Sequence, residues 1–411
     1  MNPTSSLPHA DRGDQPAAWG AVLAMSLGAF ALVASEFMPV SLLTPIAADL
    51  QITEGQAGQA ISISGAFALL TSLFISSLAG RLDRKVLLLG LTLLMAVSGT
   101  VVALAPNYAI FMIGRALIGV AIGGFWSMSA ATAMRLVPDR HVPRALAILN
   151  GGNALATVLA APLGSFLGAI VGWRWAFFAV VPVAMIALCW KLFSLPTMAG
   201  QRAEGSSNVF LLLKRPAVAL GMAAVSLFFM GQFALFTYLR PFLETVTHVD
   251  VATLSLMLLI VGVAGFVGTT VIGAFLKDGL YRTLIVIPAL MAIIAVALVA
   301  AGSSVATTAV LLGLWGLLGT AAPVGWWTWL ARTLPRDAEA GGGLMVAVVQ
   351  LAIMLGATVG GVLFDWSGYR ATFETSAGLL VIAAILAMLA ARTARSAAAG
   401  PASTATEACL R

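Results

Sequence analysis

Residues 19–45 read WGAVLAMSLGAFALVASEFMPVSLLTP, an apolar run with a single ionisable side chain, Glu36. The run exceeds the about 20 residues that cross a hydrocarbon core about 30 Å thick. Lipid offers the backbone no hydrogen-bond partners, so a segment of this kind must be a helix. The whole chain shares the pattern. Of its 411 residues, 60% are hydrophobic and 9% charged, against about 25% charged in soluble domains, and the mean hydropathy is +1.01. A soluble enzyme of this composition could not cover its apolar surface. A β-barrel would show short alternating segments instead.

Working outward, hydropathy predicts twelve spans. The first six cover Trp19–Pro45, Gln56–Ala79, Val86–Ala105, Tyr108–Met134, Ala145–Val171 and Trp175–Leu195. The second six cover Val218–Tyr238, Val251–Leu276, Thr283–Ala301, Val305–Leu330, Gly342–Phe364 and Ala371–Ala391. The implied organisation is a cytoplasmic N-terminal tail (1–18), a six-helix bundle (19–195), a cytoplasmic linker (196–216), a second six-helix bundle (217–391) and a cytoplasmic C-terminal tail (392–411). The linker reads as flexible from Gly200, Gly205, Ser206 and Ser207.

The 22 basic residues test the topology. With the N-terminus inside, only Arg174, Arg240 and Arg370 fall in outer loops, and Arg115 falls within a span. Lys191 counts with the inner set. The imbalance places both termini in the cytoplasm. The net charge of +6 reflects this loop bias and implies no nucleic acid. The N-terminal tail lacks the pattern of a signal peptide. Cys189 and Cys409 suggest no disulfide framework. His9, His141 and His248 are isolated and outside the spans, so no zinc site is expected. None of the four lysines follows a glycine, which excludes a phosphate-binding Gly-Lys pair and an ATP-driven pump.

The two sixes repeat at a shift of about 196 residues. Glu36-Phe37 falls on Gln232-Phe233, Arg81 on Lys277, and Gly172-Trp173-Arg174 on Gly368-Tyr369-Arg370. This reads as a parallel duplication of a six-helix unit.

Three local motifs then carry a resemblance. Ser76–Lys85 (SSLAGRLDRK) resembles the loop motif between spans two and three of the major facilitator superfamily. Arg115 with Gly119 and Gly123 resembles its span-four motif, and Gly152 through Ala161-Pro162-Leu163-Gly164 its antiporter motif. Together they resemble the twelve-span drug:proton antiporter branch. Within that branch EFMPVSLLTPIAADL (36–50), GRALIGVAIGGFWSMSA (114–130), MRLVP (134–138), APLGSFLG (161–168) and APVGWWTWLARTL (322–334) resemble the exporters of purine ribonucleosides. The loop motif departs from the pattern, with Gly80 where Asp is usual and Asp83 where Gly is usual, so its salt bridge would fall to Asp83 or be absent. The antiporter motif has Ala161 before the proline and Ser165 after Gly164.

The resemblance implies an all-α fold of two six-helix repeats around a central site, a proton as coupling ion, no cofactor and no metal. It implies a monomer in the bacterial inner membrane.

Glu36 lies deep in the first span, where an ionised carboxylate costs several kcal/mol unless paired or hydrated. That suits a proton carrier, although a permanent structural ion pair would look the same. Arg115 lies at a matching depth, within about one helical turn at 1.5 Å per residue, and is the natural partner. Gly119 and Gly123 follow it on one face and read as a packing seam. Gln232, Gln350, Asn150 and Asn153 could donate to and accept from a base or ribose. Trp126, Phe233 and Trp326 could stack on a base, as could Phe236, Tyr238 and Trp327, while Trp329 reads as interfacial belt. Arg81, Asp83, Arg84 and Lys85 form an inner cluster that reads as topology signal and lipid contact, or by resemblance as a gate latch. Pro162 should kink span five, beside Gly164.

The expectation is an alternating-access exporter of inosine- or guanosine-type nucleosides driven by protons. The same machine exporting sugars or drugs, or importing by symport, stands as the alternative. A receptor using the fold only to bind would call for long tails or an attached signalling domain.

Overall fold

The computed structural model describes residues 17–78, 82–198, 209–335 and 337–399. Within them every regular element is helical. The first half of the chain holds α1 (Trp19–Leu50), α2 (Glu54–Leu78), α3 (Arg84–Ala103), α4 (Tyr108–Arg135), α5 (Val142–Val171), α6 (Trp173–Phe178) and α7 (Val180–Ser194). The second half holds α8 (Pro216–Phe236), α9 (Leu239–Thr245), α10 (Val251–Ala301), α11 (Val305–Thr333) and α12 (Ala338–Ala399). Short 3-10 turns occupy Asp139–His141 and Val209–Lys214.

Among the described residues, ten helical stretches are long and apolar enough to cross a membrane. Local chemistry sets their ends. Asp83, Asn107, Asp250 and Ser304 each accept a backbone N–H from the first turn of the helix they precede, which satisfies one of the free donors there. Two helices run past the length of one crossing. The 51 residues of α10 are interrupted at Gly279 (φ −124°, ψ 27°), and the 62 of α12 at Gly368 (φ 75°, ψ −174°). Hydropathy places loops at 277–282 and 365–370, but the backbone stays helical around a single non-helical glycine in each. The second of these has a counterpart. Gly172, at φ 85° and ψ 157°, separates α5 from α6, and the sequence repeat pairs Gly172 with Gly368. This region of φ/ψ space is open almost only to glycine.

Other boundaries also differ from expectation. The seventh span is α8 plus α9, parted at Thr237-Tyr238. Part of the expected linker, 209–214, is a 3-10 turn, and helix α12 extends through Ala399 into the expected C-terminal tail, an alanine-rich stretch with high helix propensity. The N-terminal tail to residue 16, linker residues 199–208 and tail residues 400–411 lie outside the described residues.

Buried apolar side chains form two clusters. One draws on residues 21–198 and takes in Tyr238 from the second half. The other draws on residues 212–387 and takes in Val40, Ile61 and Ala161 from the first. The outer surface is itself apolar, with Phe193, Phe275 and Trp366 well exposed, as a lipid-facing surface requires and a soluble one avoids.

Candidate functional site

The site begins with two prolines in α1. Pro39 and Pro45 lie inside an otherwise continuous helix. A helical proline brings no N–H to the carbonyl four residues before it, so the carbonyls of Ser35 and Ser41 lose their donors. Both are buried, and a buried carbonyl needs a partner. Arg115 of α4, fully buried, supplies the first. Its Nη1 donates to the Ser35 carbonyl at 2.8 Å, its Nη2 to the Glu36 carbonyl at 3.0 Å and to Ser64 Oγ at 3.3 Å, and its Nε to the Ala60 carbonyl at 3.2 Å. One guanidinium thereby ties α1, α2 and α4 together.

This changes the expected pairing. The ion pairs within 4.0 Å among the described residues are Arg174–Asp49, Arg215–Asp337 and Arg240–Glu244. Arg115 and Glu36 are not one of them. The guanidinium spends its donors on backbone oxygens, one of which Pro39 has left open, and acts on the carboxylate through space. Glu36, 7% exposed, has its carboxyl beside the side-chain amide of Gln350 on α12. A carboxyl of the first half and an amide of the second thus lie side by side.

From this contact a seam runs toward the end of the bundle remote from the described termini. Thr358 Oγ1 meets Ser62 Oγ at 2.9 Å, and Ser62 Oγ donates to the Met354 carbonyl at 3.2 Å. At its far end Asp365 accepts from Thr53 Oγ1 at 2.6 Å and from the Gly55 N–H at 2.9 Å. A carboxylate from α12 thereby caps the N-terminus of α2, where helix dipole and free N–H groups favour negative charge. Tyr238 Oη, donating to the Ala357 carbonyl at 2.8 Å, lies where a Cβ on Gly58 would have to be. Arg240 of α9 donates to the Ser41 carbonyl, the one freed by Pro45. Sequence reading placed Arg240 in an outer loop; it is 6% exposed and inside this seam.

The aromatic candidates separate. Phe233 of α8 stacks on Phe37 of α1, with centroids 5.8 Å apart and planes at 27°, and Phe236 meets Phe233 edge-on at 6.2 Å. Gln232, next to Phe233, has its Oε1 buried with no partner and its amide beside Gly319 of α11. Trp126 packs edge-on against Phe125 in the first cluster. Trp326 is buried edge-on to Trp329 in the second. Trp329 is not a belt residue: it is buried against Gly221 of α8, whose missing Cβ makes the room. Trp327 is the exposed member of that run. Asn153 is half-buried on α5, and Asn150, exposed, donates to the Leu146 carbonyl.

The motif residues settle into packing. A Cβ on Gly119 would lie 2.3 Å from the Ser64 carbonyl oxygen, and one on Gly123 2.2 Å from that of Ala68, so α4 and α2 touch backbone to backbone. Gly164 makes room for Ser41 Oγ. Pro162 is buried within α5, which stays helical through it to Val171. Arg81 lies outside the described residues. Asp83 Oδ1 caps α3 by accepting from the Lys85 N–H at 2.7 Å, and its Oδ2 accepts from the Met198 N–H at 3.0 Å. The Arg84 N–H donates to the Met198 carbonyl. These bonds stay within the first half.

Sequence reading missed two groups. Phe37 carried only its place beside Glu36 and its pairing with Phe233 through the repeat. Lys191, assigned to the inner loops, is 1% exposed. Its Nζ donates to Thr92 Oγ1 at 2.9 Å, sits 5.2 Å from the Phe125 ring centre and occupies the niche left by Gly28.

A helical bundle with an apolar exterior, and with Glu36, Gln350, Arg240 and Asp365 where its two halves meet, has the build of a membrane transport protein. The family follows from comparison. The sequence profile of the Major Facilitator Superfamily matches residues 25–342, and the chain belongs to that superfamily. It is 66% identical over 377 residues to a protein of Pseudomonas aeruginosa named transcription regulatory protein OpdE, covering 91% of this chain and 94% of that one. It is 42% identical over 368 residues to the purine ribonucleoside efflux pump NepI of Salmonella paratyphi B, covering 90% and 93%. Among solved structures, a bacterial homologue of the human lysosomal transporter Spinster, inward-facing and unoccupied, superposes with a TM-score of 0.74 at 16% identity over 93% of this chain and 98% of that one. The human organic anion transporter MFSD10 does so with a TM-score of 0.65 at 19% identity over 91% and 100%. At such identities these two speak for the fold alone.

Proposed function

We propose that this protein exports purine ribonucleosides of the inosine and guanosine type from the cytoplasm in exchange for protons, by alternating access. The observation that carries the reading is the position of Glu36. It is a buried carboxyl at the junction of the two halves, beside Gln350 from the other half and set over a backbone clamped by Arg115. A proton arriving there alters a contact between the parts that must move, which is what coupling requires. The relatives named purine ribonucleoside efflux pump support the substrate class. Twelve spans in two six-helix bundles fit if the breaks at Gly279 and Gly368 each separate two crossings. The Lys and Arg distribution supports cytoplasmic termini in the bacterial inner membrane. The remote end is then the outer end, and the seam from Gln350 to Asp365 supports a state closed to the outside.

In this mechanism Glu36 carries the proton and Arg115 positions it. Gln350, Gln232, Phe233 and Asn153 bind the substrate, with Trp126 and Trp326 behind them. The relative named a transcription regulatory protein motivates a second reading, in which the bundle binds a solute and reports it. Export of a sugar or a drug by the same machine, and uptake by symport, are further alternatives.

Proteoliposomes of the purified protein decide among them. Inosine- or guanosine-dependent proton movement, absent with arabinose and with an amphiphilic drug, is the expected result, and Glu36→Gln should abolish it while leaving inosine binding. Full proton coupling in Glu36→Gln overturns the assignment of Glu36. Binding without flux favours the regulator, and flux with sugar or drug alone removes the nucleoside.

A further inference from the structure

Phe37 and Phe233 occupy equivalent positions of the internal repeat, one following Glu36 and the other Gln232. Repeat-related residues touch only where they lie at the axis that relates the two repeats. These two do, face to face across the junction of the halves, at 5.8 Å and 27°. Each is the residue next to a buried amide or carboxyl, and neither polar neighbour is spent on the ring. Glu36 lies beside Gln350, while Gln232 keeps a buried Oε1 without a donor. An unsatisfied buried acceptor is costly and calls for a partner.

We propose that Phe37 and Phe233 are the two jaws of a clamp for a flat heteroaromatic ring, with Gln232 Oε1 as the acceptor for an N–H on that ring's edge. The proposal rests on the nucleoside reading above and assigns the base, rather than the ribose, as the part recognised. The stacked pair is the closed form of the clamp. A ring entering between the jaws needs about two stacking distances, about 7 Å in all, and a small parting of the halves supplies it. The inserted base replaces one ring–ring face with two, and its edge fills the position Gln232 leaves open. A ligand without a planar ring, such as a sugar, offers no such exchange. Because the jaws come from different halves, the base bridges them, so occupancy bears directly on the movement that transport requires.

The test is equilibrium binding to the full-length protein in detergent, with inosine, hypoxanthine and ribose as probes. Phe37→Leu and Phe233→Leu keep apolar bulk and lose the π face, while Phe37→Tyr and Phe233→Tyr keep the face. The clamp requires that hypoxanthine compete with inosine and ribose not. It requires each Leu variant to weaken inosine binding by about 5- to 150-fold, the range that base stacking on one aromatic side chain spans, and the Tyr variants to bind within about threefold of the parent. Gln232→Leu should weaken inosine as well. Thermal unfolding of each variant near that of the parent shows that the loss is local. If the parent binds inosine and the Leu variants bind it equally well, or if ribose competes and hypoxanthine does not, the clamp is overturned while the nucleoside reading stands. If the parent binds no purine nucleoside, both fall together.

Discussion

Arg240 of α9 donates to the backbone carbonyl of Ser41 in α1, and that carbonyl is open because Pro45 four residues on has no N–H to give it. A proline in the first half thus creates the acceptor that an arginine of the second half uses. Arg240 is held in turn by Glu244 at 2.8 Å. A buried hydrogen bond from a charged donor contributes about 1.5–3 kcal/mol, so the bond weighs on the balance between states. In a Ser62→Cys background, whose near-isosteric thiol sits inside the seam, Arg240→Gln should raise labelling by a membrane-impermeant reagent, because the seam opens more often. Pro45→Ala, which restores an N–H to Ser41, should move labelling in the same direction by less. Unchanged labelling in both would show that the contact does not hold the seam.

Pro162 follows the same logic. It frees the carbonyl of Val158, and the backbone of Gly262 in α10 packs against it. A Cβ on Gly262 would lie 2.7 Å from both that oxygen and the Val158 Cα. Backbone atoms cannot turn aside as a flexible side chain can, and overpacking of this kind costs about 1–3 kcal/mol. Gly262→Ala should therefore disfavour the arrangement described here and lower substrate flux while the protein still folds. Wild-type flux from Gly262→Ala would place the closure elsewhere.

Lys191 has a hydroxyl and a ring for company but no carboxylate within 4.0 Å among the described residues. Replacing a buried charge by an apolar side chain of similar shape is often neutral or stabilising. Lys191→Met should leave the unfolding temperature in detergent unchanged or higher. A fall of several degrees would mean that the ammonium contributes to stability, and loss of flux without a fall would make Lys191 part of the transport cycle.

Gly172 and Gly368 sit at positive φ with nothing within 4 Å of where a Cβ would be. Crowding is absent, so the cost of Gly172→Ala or Gly368→Ala is backbone strain alone, about 1–3 kcal/mol each. Thermal unfolding should show similar losses at the two sites. A loss at one site only would argue against their equivalence.

Much of this protein could be read from its sequence because lipid permits so few structures. The apolar runs, their lengths and the family motifs all follow from local chemistry, and so does the marking of Glu36 and Arg115 as costly residues deep in the bilayer. Even the paired glycines at 172 and 368 showed through the repeat before their backbone angles were known. Side-chain fate was less legible. Hydropathy averages over a window, so it could not separate Lys191 and Arg240, folded into the interior, from loop residues, nor Trp329, buried against Gly221, from a belt tryptophan. Nor could it say that Arg115 would address the carbonyl freed by Pro39 rather than the carboxylate of Glu36. Those outcomes depend on which helices become neighbours. A polytopic helical protein was legible because lipid leaves the backbone of long apolar runs no partner but itself, and the local motifs pointed to the superfamily. Only the tertiary structure decided which groups meet, bringing Gln350 to Glu36, Phe233 to Phe37 and Asp365 to the start of α2, because contacts between residues hundreds of positions apart are set by packing and not by local pattern.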